Sequence, residues 1–250
     1  MVVTSRRTGA GGQTLADRAR RHAALGEPAR LAIVDHLILG DASPGELGTL
    51  VGLPTNLLAH HLRVLEDAAL VRRVRSEGDR RRSYVQLRLD DADVAGMLGA
   101  TSTSRSRPAF QPGAQALRVV FVCTHNSARS QLAAAAWARV SDRPAASAGT
   151  HPAARVHPRA VAVGRRHGLR LGQARTSSLG QTLRPGDLLV AVCDNAHEEL
   201  AATDRPPWLH WAVPDPVRVD TDAAFETAYD HLVPRIERLI DALDRPRHAS

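Results

Sequence analysis

The sequence predicts two domains of different class: a mainly α domain over residues 14–100 ending in a β-hairpin, and an α/β domain with a three-layer parallel sheet over residues 117–246. Three observations predict this. Residues 15–98 run helix, helix, short turn, helix, then two alternating segments around a polar turn. Residues 117–243 alternate apolar runs of strand length with helical runs, the pattern of a parallel sheet covered on both faces. Between them, residues 101–116 are rich in Ser, Thr, Pro and Gly and read as a flexible linker. A chain of 250 residues gives each part enough length for its own core.

Residues 1–13 are polar, Gly-rich and without periodicity, and are expected to be disordered. A helix follows over 15–25. Glu27-Pro28 opens a second, which Gly40 ends. Ser43-Pro44-Gly45-Glu46 has the form of a capping box, and the short helix behind it carries Leu47, Leu50 and Val51. Gly52-Leu53-Pro54 makes the turn, and Thr55 starts a helix reaching about residue 68. Leu58, Leu62 and Leu65 share one face of it, which should be core; Asn56, His60 and Arg63 share a polar face. His60 and His61 read as ordinary helix-surface residues. Helix, Gly-containing turn and helix with a polar outer face is the helix-turn-helix pattern. Residues 70–75 and 83–89 then alternate around S-E-G-D-R-R-R, a hairpin whose arginine-rich tip is suited to phosphate contacts. A short helix over 90–98 closes the domain.

The segments L-G-E-P-A-R-L, E-L-G-T-L-V-G-L, L-A-H-H-L-R-V-L-E-D-A-A-L-V and R-S-E-G-D-R-R-R-S-Y occur in this order, and residues 14–99 resemble the ArsR-type winged-helix repressors. The resemblance implies a homodimer through the first and last helices, bound to double-stranded operator DNA. It implies Thr55, Asn56, His60 and Arg63 near base edges and Arg80, Arg81 and Arg82 near phosphates. The metal sensors of that family use cysteines, or paired His and Asp, on the third or last helix. Residues 1–116 contain no cysteine and residues 90–98 no histidine, so no metal is expected.

The second domain is organised around L-R-V-V-F-V-C-T-H-N-S-A-R-S-Q, residues 117–131. An apolar strand ends in Cys123, a tight loop of Thr124, His125, Asn126, Ser127 and Ala128 closes on Arg129 and Ser130, and an Ala-rich helix runs over 132–140. Backbone N–H groups at a helix start, together with its dipole, favour a tetrahedral oxyanion. The planar Arg129 fork can grip two of its oxygens. The same field favours the thiolate of Cys123, which makes it a nucleophile.

Further strands are expected at 145–148, 187–193 and 208–213, and helices at 157–167 and 221–243, the last with Pro234 inside it. Ligands bind at the carboxyl ends of such strands. Cys123, Cys193 and Asp215 all lie there, which argues for one shared site. Asp215 stands between Pro214 and Pro216, stiffly held, and can protonate a leaving oxygen; a plain turn aspartate fits the same composition.

V-C-T-H-N-S-A-R-S-Q, S-A-G-T, L-L-V-A-V-C-D and W-A-V-P-D-P give residues 117–244 a resemblance to the low-molecular-weight protein tyrosine phosphatases and, more closely, to their arsenate reductase relatives. The resemblance implies that family's parallel-sheet fold, with Cys123 as nucleophile, Arg129 as oxyanion clamp and Asp215 as general acid. It also implies that Asn126 braces the loop and Ser130 hydrogen-bonds the Cys123 thiolate. Three features favour the reductases: the loop T-H-N-S-A-R-S-Q, Trp211 four residues before Asp215, and Val217 where tyrosine phosphatases carry an aromatic. Fusion to an arsenic-repressor-like domain agrees by association.

The chain also departs from the family. His125 stands where Gly is usual, and Ala128 where many reductases have Cys. The second cysteine of thioredoxin-coupled members would fall near Leu200. A three-cysteine relay therefore cannot run. Either Cys193 attacks the Cys123–arsenate adduct, or an external thiol does so; the external thiol is favoured. It would be mycothiol or glutathione, with a glutaredoxin- or thioredoxin-like redox partner protein regenerating the enzyme and no cofactor bound. Cys193 reads equally as a small buried residue.

The function expected is an arsenate reductase fused to a transcriptional repressor. The alternatives are a tyrosine phosphatase fused to a regulator, and a non-catalytic regulator that senses arsenate or phosphate. A net charge of +7 and a pI near 10.9 suit a polyanion partner, though all 33 basic residues are arginine, which also fits a compositional bias. No apolar run is long enough to span a bilayer, the N-terminus lacks a secretion signal, and two cysteines make no disulfide framework, so a cytoplasmic protein is expected.

Overall fold

The computed structural model describes residues 14–101, 118–203 and 208–244. The tail expected at 1–13 and, apart from Thr101, the linker expected at 101–116 lie outside the described residues.

The N-terminal lobe runs α1 (Leu15–Leu25), α2 (Pro28–Leu37), α3 (Pro44–Val51), α4 (Thr55–Asp67), β1 (Val71–Arg75), β2 (Ser83–Leu87) and α5 (Ala92–Thr101). The helix starts follow from local chemistry. Thr14 with Asp17, and Ser43 with Glu46, form reciprocal capping boxes that satisfy otherwise orphaned N–H groups. Gly52 ends α3 in the left-handed region at φ 66°, which a Cβ would disfavour. Leu47, Leu58, Leu62 and Leu65 are buried with Ile33 and Val34 and with Val71, Val85 and Leu87 of the hairpin. His61 is buried instead of lying on the surface: it borders Leu62 on the core face, and its ring meets the Glu27 carboxylate at 3.4 Å.

The C-terminal lobe runs β3 (Arg118–Cys123), α6 (Arg129–Val140), β4 (Ala145–Gly149), α7 (Pro158–Arg166), α8 (Leu179–Thr182), β5 (Asp187–Ala191), α9 (Asp194–Leu200), β6 (Leu209–His210), α10 (Pro216–Val219) and α11 (Asp222–Asp244). Its sheet is parallel, in the order β4-β3-β5-β6. β3 lies between two strands, so Val119 to Cys123 are all buried, as a near-continuous apolar run requires. α6 packs against α7 and α11, and α9 against β3 and β5. Phe121 sits 5.9 Å from Trp137 and 5.7 Å from Trp211, ring centroid to centroid. All three side chains are fully buried, each contributing roughly 2–3 kcal/mol of transfer free energy.

Two strands are shorter than their apolar runs. β5 ends at Ala191; Val192 still donates to Val122 O at 2.8 Å, and Cys193 turns away to cap α9, its Sγ accepting from the Ala196 N–H at 3.4 Å. β6 keeps two residues; Trp211 N still donates to Ala191 O at 2.8 Å, and the Ala212 N–H then turns to the other lobe, which also meets the free side of the strand. Asp41 N donates to His210 O at 2.7 Å, Trp211 Nε1 to Leu39 O at 2.7 Å, Ala212 N to Asp41 Oδ2 at 2.7 Å, and Gln86 Nε2 to Ala212 O at 2.9 Å. The N-terminal lobe thus covers the open edge of the parallel sheet. Buried apolar side chains run as one contiguous core through both lobes. Within it the Asp41 carboxylate lies 3.3 Å from Arg235 Nη2, and the Tyr84 ring 4.3 Å from that of His210.

Helices α8, α9 and α10 have four, seven and four residues, too few for apolar periodicity to reveal them. Among the described residues no helix is long and apolar enough to cross a membrane, and no group of three or more His, Cys, Asp or Glu could hold a metal ion.

Candidate active site

The site forms where β3 passes into α6. The loop's carbonyls are turned outward and tied to the segment after β4. Thr150 N donates to Cys123 O at 3.2 Å, His151 N to Thr124 O at 2.8 Å, Ala153 N to His125 O at 2.9 Å, and His157 N to Ser127 O at 2.8 Å. In a trans peptide the N–H points opposite to the C=O. The N–H groups of Thr124, His125, Asn126 and Ala128 are therefore directed into the loop's interior, a concave nest suited to an anion. α6 begins at Arg129 without a side-chain cap, which adds its helix terminus to the same hollow.

Asn126 holds the loop's shape. Its backbone is left-handed at φ 49°, which asparagine tolerates better than most residues. Its Oδ1 accepts from Gln131 Nε2 at 3.0 Å and from Ser177 N at 2.8 Å, and its Nδ2 donates to Ser130 Oγ at 2.8 Å. With that oxygen engaged as an acceptor, the Ser130 hydroxyl proton is free to donate to Cys123 Sγ, 3.1 Å away. Asn126, Ser127, Ala128, Arg129 and Ser130 are buried; Thr124 is half-buried and His125 exposed, its Nδ1 lying 3.1 Å from His151 O. Gly149 at the end of β4 is a close-approach position: a Cβ there would stand 2.8 Å from Thr124 O and 3.1 Å from Asn126 N.

Arg129 closes the site. Its guanidinium is 4 % exposed; Nη1 donates to Val213 O at 3.0 Å and Nη2 lies 3.2 Å from Asp215 Oδ2. Burial pulls the Arg129 pKa down, but Cys193, Cys123, Asp215 and Glu77 together outweigh it and raise the pKa, so the guanidinium stays charged. Asp215 caps α10, its Oδ1 accepting from Val217 N at 3.1 Å, and this fixes the carboxylate toward Arg129. Cys193 is buried, its Sγ 3.6 Å from Thr124 Oγ1. Desolvation raises its pKa against the pull of Arg129, and Cys123 adds to the rise. The fold therefore brings Cys123, Arg129, Asp215 and Cys193 together from three separate strand ends.

Local reading of the sequence missed Glu77. Its carboxylate comes from the β1–β2 turn and lies 3.3 Å from Arg129 Nη1, accepting the Asp215 N–H at 3.0 and 3.1 Å. Nothing in the spacing of S-E-G-D-R-R-R points there, because its partners are 52 and 138 residues away. The other residues singled out in the N-terminal lobe are not part of this site. Thr55, Asn56, His60 and Arg63 are exposed on α4, and Arg80, Arg81 and Arg82 are exposed in the hairpin turn. There Arg81 and Arg82 face Asp79 at 2.9 and 3.7 Å.

A hollow of this form, with a thiol, a guanidinium and a carboxyl group around it, is chemically suited to a tetrahedral oxyanion. Comparison with curated proteins finds no match. Solved structures give several similar chains. The tyrosine phosphatase AmsI of Erwinia amylovora is 22 % identical over 55 % of this chain and 99 % of its own, with a TM-score of 0.48. An arsenate reductase from Archaeoglobus fulgidus DSM 4304 is 27 % identical over 49 % of this chain and 98 % of its own, with a TM-score of 0.42. The tyrosine phosphatase Wzb of Escherichia coli K30 is 21 % identical over 50 % and 96 %, with a TM-score of 0.44. Residues 118–249, more than half of the chain, match the family described as low molecular weight phosphotyrosine protein phosphatase, and the chain belongs to that family.

Proposed function

We propose that this chain is a thiol-dependent arsenate reductase carried on a DNA-binding regulator. The observation that carries the reductase reading is Val217 at the rim, directly after Asp215-Pro216 and packed against the core. A phosphotyrosine site needs an aromatic there to sandwich the phenol ring, whereas a small inorganic oxyanion needs only the cradle. In the first step the Cys123 thiolate attacks arsenic. An As–S bond forms, an As–O bond breaks, and Asp215 gives the leaving oxygen its proton, so that water departs. In the second step a thiolate attacks the Cys123 sulfur. An S–S bond forms, the As–S pair passes to arsenic, and arsenite, As(III), leaves; two thiols are oxidised for each arsenic reduced.

The second thiol is external, a small thiol such as mycothiol or glutathione, and a glutaredoxin- or thioredoxin-like protein then reduces the mixed disulfide. Burial holds Cys193 as a protonated thiol, and Leu200, itself buried, fills the place of a further relay cysteine. The purified protein given arsenate and a small thiol should form arsenite, and Cys123→Ser should abolish this. Cys193→Ser should keep most of the activity. Aryl phosphate hydrolysis without arsenite formation under any thiol system would replace this reading with the phosphatase one, which family membership supports.

For the N-terminal lobe we propose operator DNA as partner, bound by a homodimer. The exposed face of α4 would meet base edges, and the arginines of the hairpin turn would meet phosphates. Binding to a dyad operator should weaken steeply with salt, and replacing Arg80, Arg81 and Arg82 by alanine should lower affinity across sequences alike. Affinity unchanged in that triple variant would remove the hairpin from the interface.

A further inference from the structure

The β1–β2 turn is joined to the catalytic lobe by more than Glu77. Its backbone N–H groups point at α9: Glu77 N donates to Asp194 Oδ2 at 2.8 Å and Asp79 N to Glu198 Oε2 at 2.8 Å. Glu198 Oε1 also accepts from Ser76 Oγ at 2.6 Å and Tyr84 OH at 3.0 Å. Gly78 is the closest approach; a Cβ there would stand 2.6 Å from both Asn195 Oδ1 and Glu198 Oε2. Held this way, the turn delivers the Glu77 carboxylate to Arg129 Nη1 and to the Asp215 amide.

One guanidinium therefore faces two carboxylates, Glu77 at 3.3 Å and Asp215 at 3.2 Å, in a site built for a tetrahedral dianion. The guanidinium donors are thus already shared with carboxylate oxygens, and an incoming oxyanion must compete with a carboxylate for them. Asp215 is fixed by its cap on α10 and, on the proposed function, gives the leaving oxygen its proton. Glu77 stands on a turn with 29 % of its side chain exposed, so its carboxylate borders water on one side.

We propose that Glu77 is a built-in carboxylate ligand of the oxyanion site, which an arriving oxyanion displaces together with the turn that carries it. The turn is then held to the catalytic lobe when the site is free and loosened when it is filled. Because coupling is reciprocal, whatever pulls the turn away also strengthens oxyanion binding. The inference rests on the oxyanion site of the proposed function but not on which oxyanion is turned over.

The test uses the full chain and inorganic phosphate as probe. Calorimetric titration should show Glu77→Gln binding phosphate about tenfold tighter than wild type, equivalent to about 1.4 kcal/mol. Gly78→Ala, which must displace the Glu198 oxygen that holds Asp79 N while sparing the Glu77 carboxylate, should shift affinity the same way. In the wild type, phosphate should speed hydrogen exchange at the Glu77 and Asp79 amides. Equal or weaker phosphate binding in Glu77→Gln, or unchanged or slower exchange at those amides, would overturn the proposal. Arsenite production alongside such a negative result would leave the reductase reading standing. Tighter binding and faster exchange without arsenite production would leave the Glu77 device standing and sink the reductase.

Discussion

Replacing Asp41 with alanine removes the charge at the centre of the contact between the lobes. Asp41 is 2 % exposed and lies 3.3 Å from an Arg235 guanidinium that is 5 % exposed. It also accepts from Gln86 Nε2 at 2.8 Å and Ala212 N at 2.7 Å. The variant strands a buried positive charge, for which removal of one partner costs about 3–5 kcal/mol, and leaves a buried N–H without its acceptor. Two bonds survive and moderate the loss: Arg235 keeps His231 O at 2.9 Å, and Gln86 keeps Ala212 O at 2.9 Å. The expected cost is about 3–4 kcal/mol, which for a chain of this size lowers the melting temperature by about 6–16 °C. Asp41→Asn keeps an acceptor oxygen and should cost about half as much. Differential scanning calorimetry measures both. Wild type should unfold in one transition spanning both lobes, and Asp41→Ala should separate them. Ala212 precedes Asp215 by three residues, so turnover should fall in the same variant. A melting temperature within about 2 °C of wild type, or equal losses for Asn and Ala, would refute the argument that this pair holds the lobes together.

Asn126→Ala removes three hydrogen bonds and places alanine at φ 49°; turnover should fall about 100-fold with the lobe still folded, as read by steady-state kinetics and circular dichroism. Gly149→Ala drives a Cβ to 2.8 Å from the Thr124 carbonyl, a backbone atom that cannot rotate away; it should weaken phosphate binding by about tenfold or more in calorimetry, and unchanged affinity would contradict the close-approach role. Stability should fall on acidification. Burial, reinforced by Arg235 and Arg72, pushes His231 down to about 4, and burial also lowers His210 against the pull of Asp194. Both folded pKa values lie below the unfolded value near 6.5, so the unfolded chain takes up protons first. For His231 the contribution is complete above about pH 6.5 and is lost toward pH 4, on the order of 1 kcal/mol per pH unit, and His210 adds a loss of the same sign. Urea unfolding at pH 7.5 and pH 5 checks the sign; greater stability at pH 5 would reverse it.

The sequence by itself determined the elements whose cause is local. The capping box at Ser43 starts its helix, the apolar run before Cys123 forms an inner strand, and the Cys123-to-Arg129 stretch forms the tight loop between that strand and α6. Short-range signals did not reveal helices of four to seven residues, nor the early end of β6. Residues 211–213 are as apolar as a strand; Trp211 N still reaches Ala191 O, but the Asp41 carboxylate, from the other lobe, takes the Ala212 N–H and the Leu39 carbonyl takes the Trp211 indole N–H. His61 likewise reads as a surface residue until Glu27 and the neighbouring core enclose it. Only the tertiary structure decided that the two lobes share a core and that Glu77 reaches Arg129. Sequence patterns report periodicity within a few turns of chain, whereas a carboxylate held beside a guanidinium 52 residues away depends on how two finished surfaces dock.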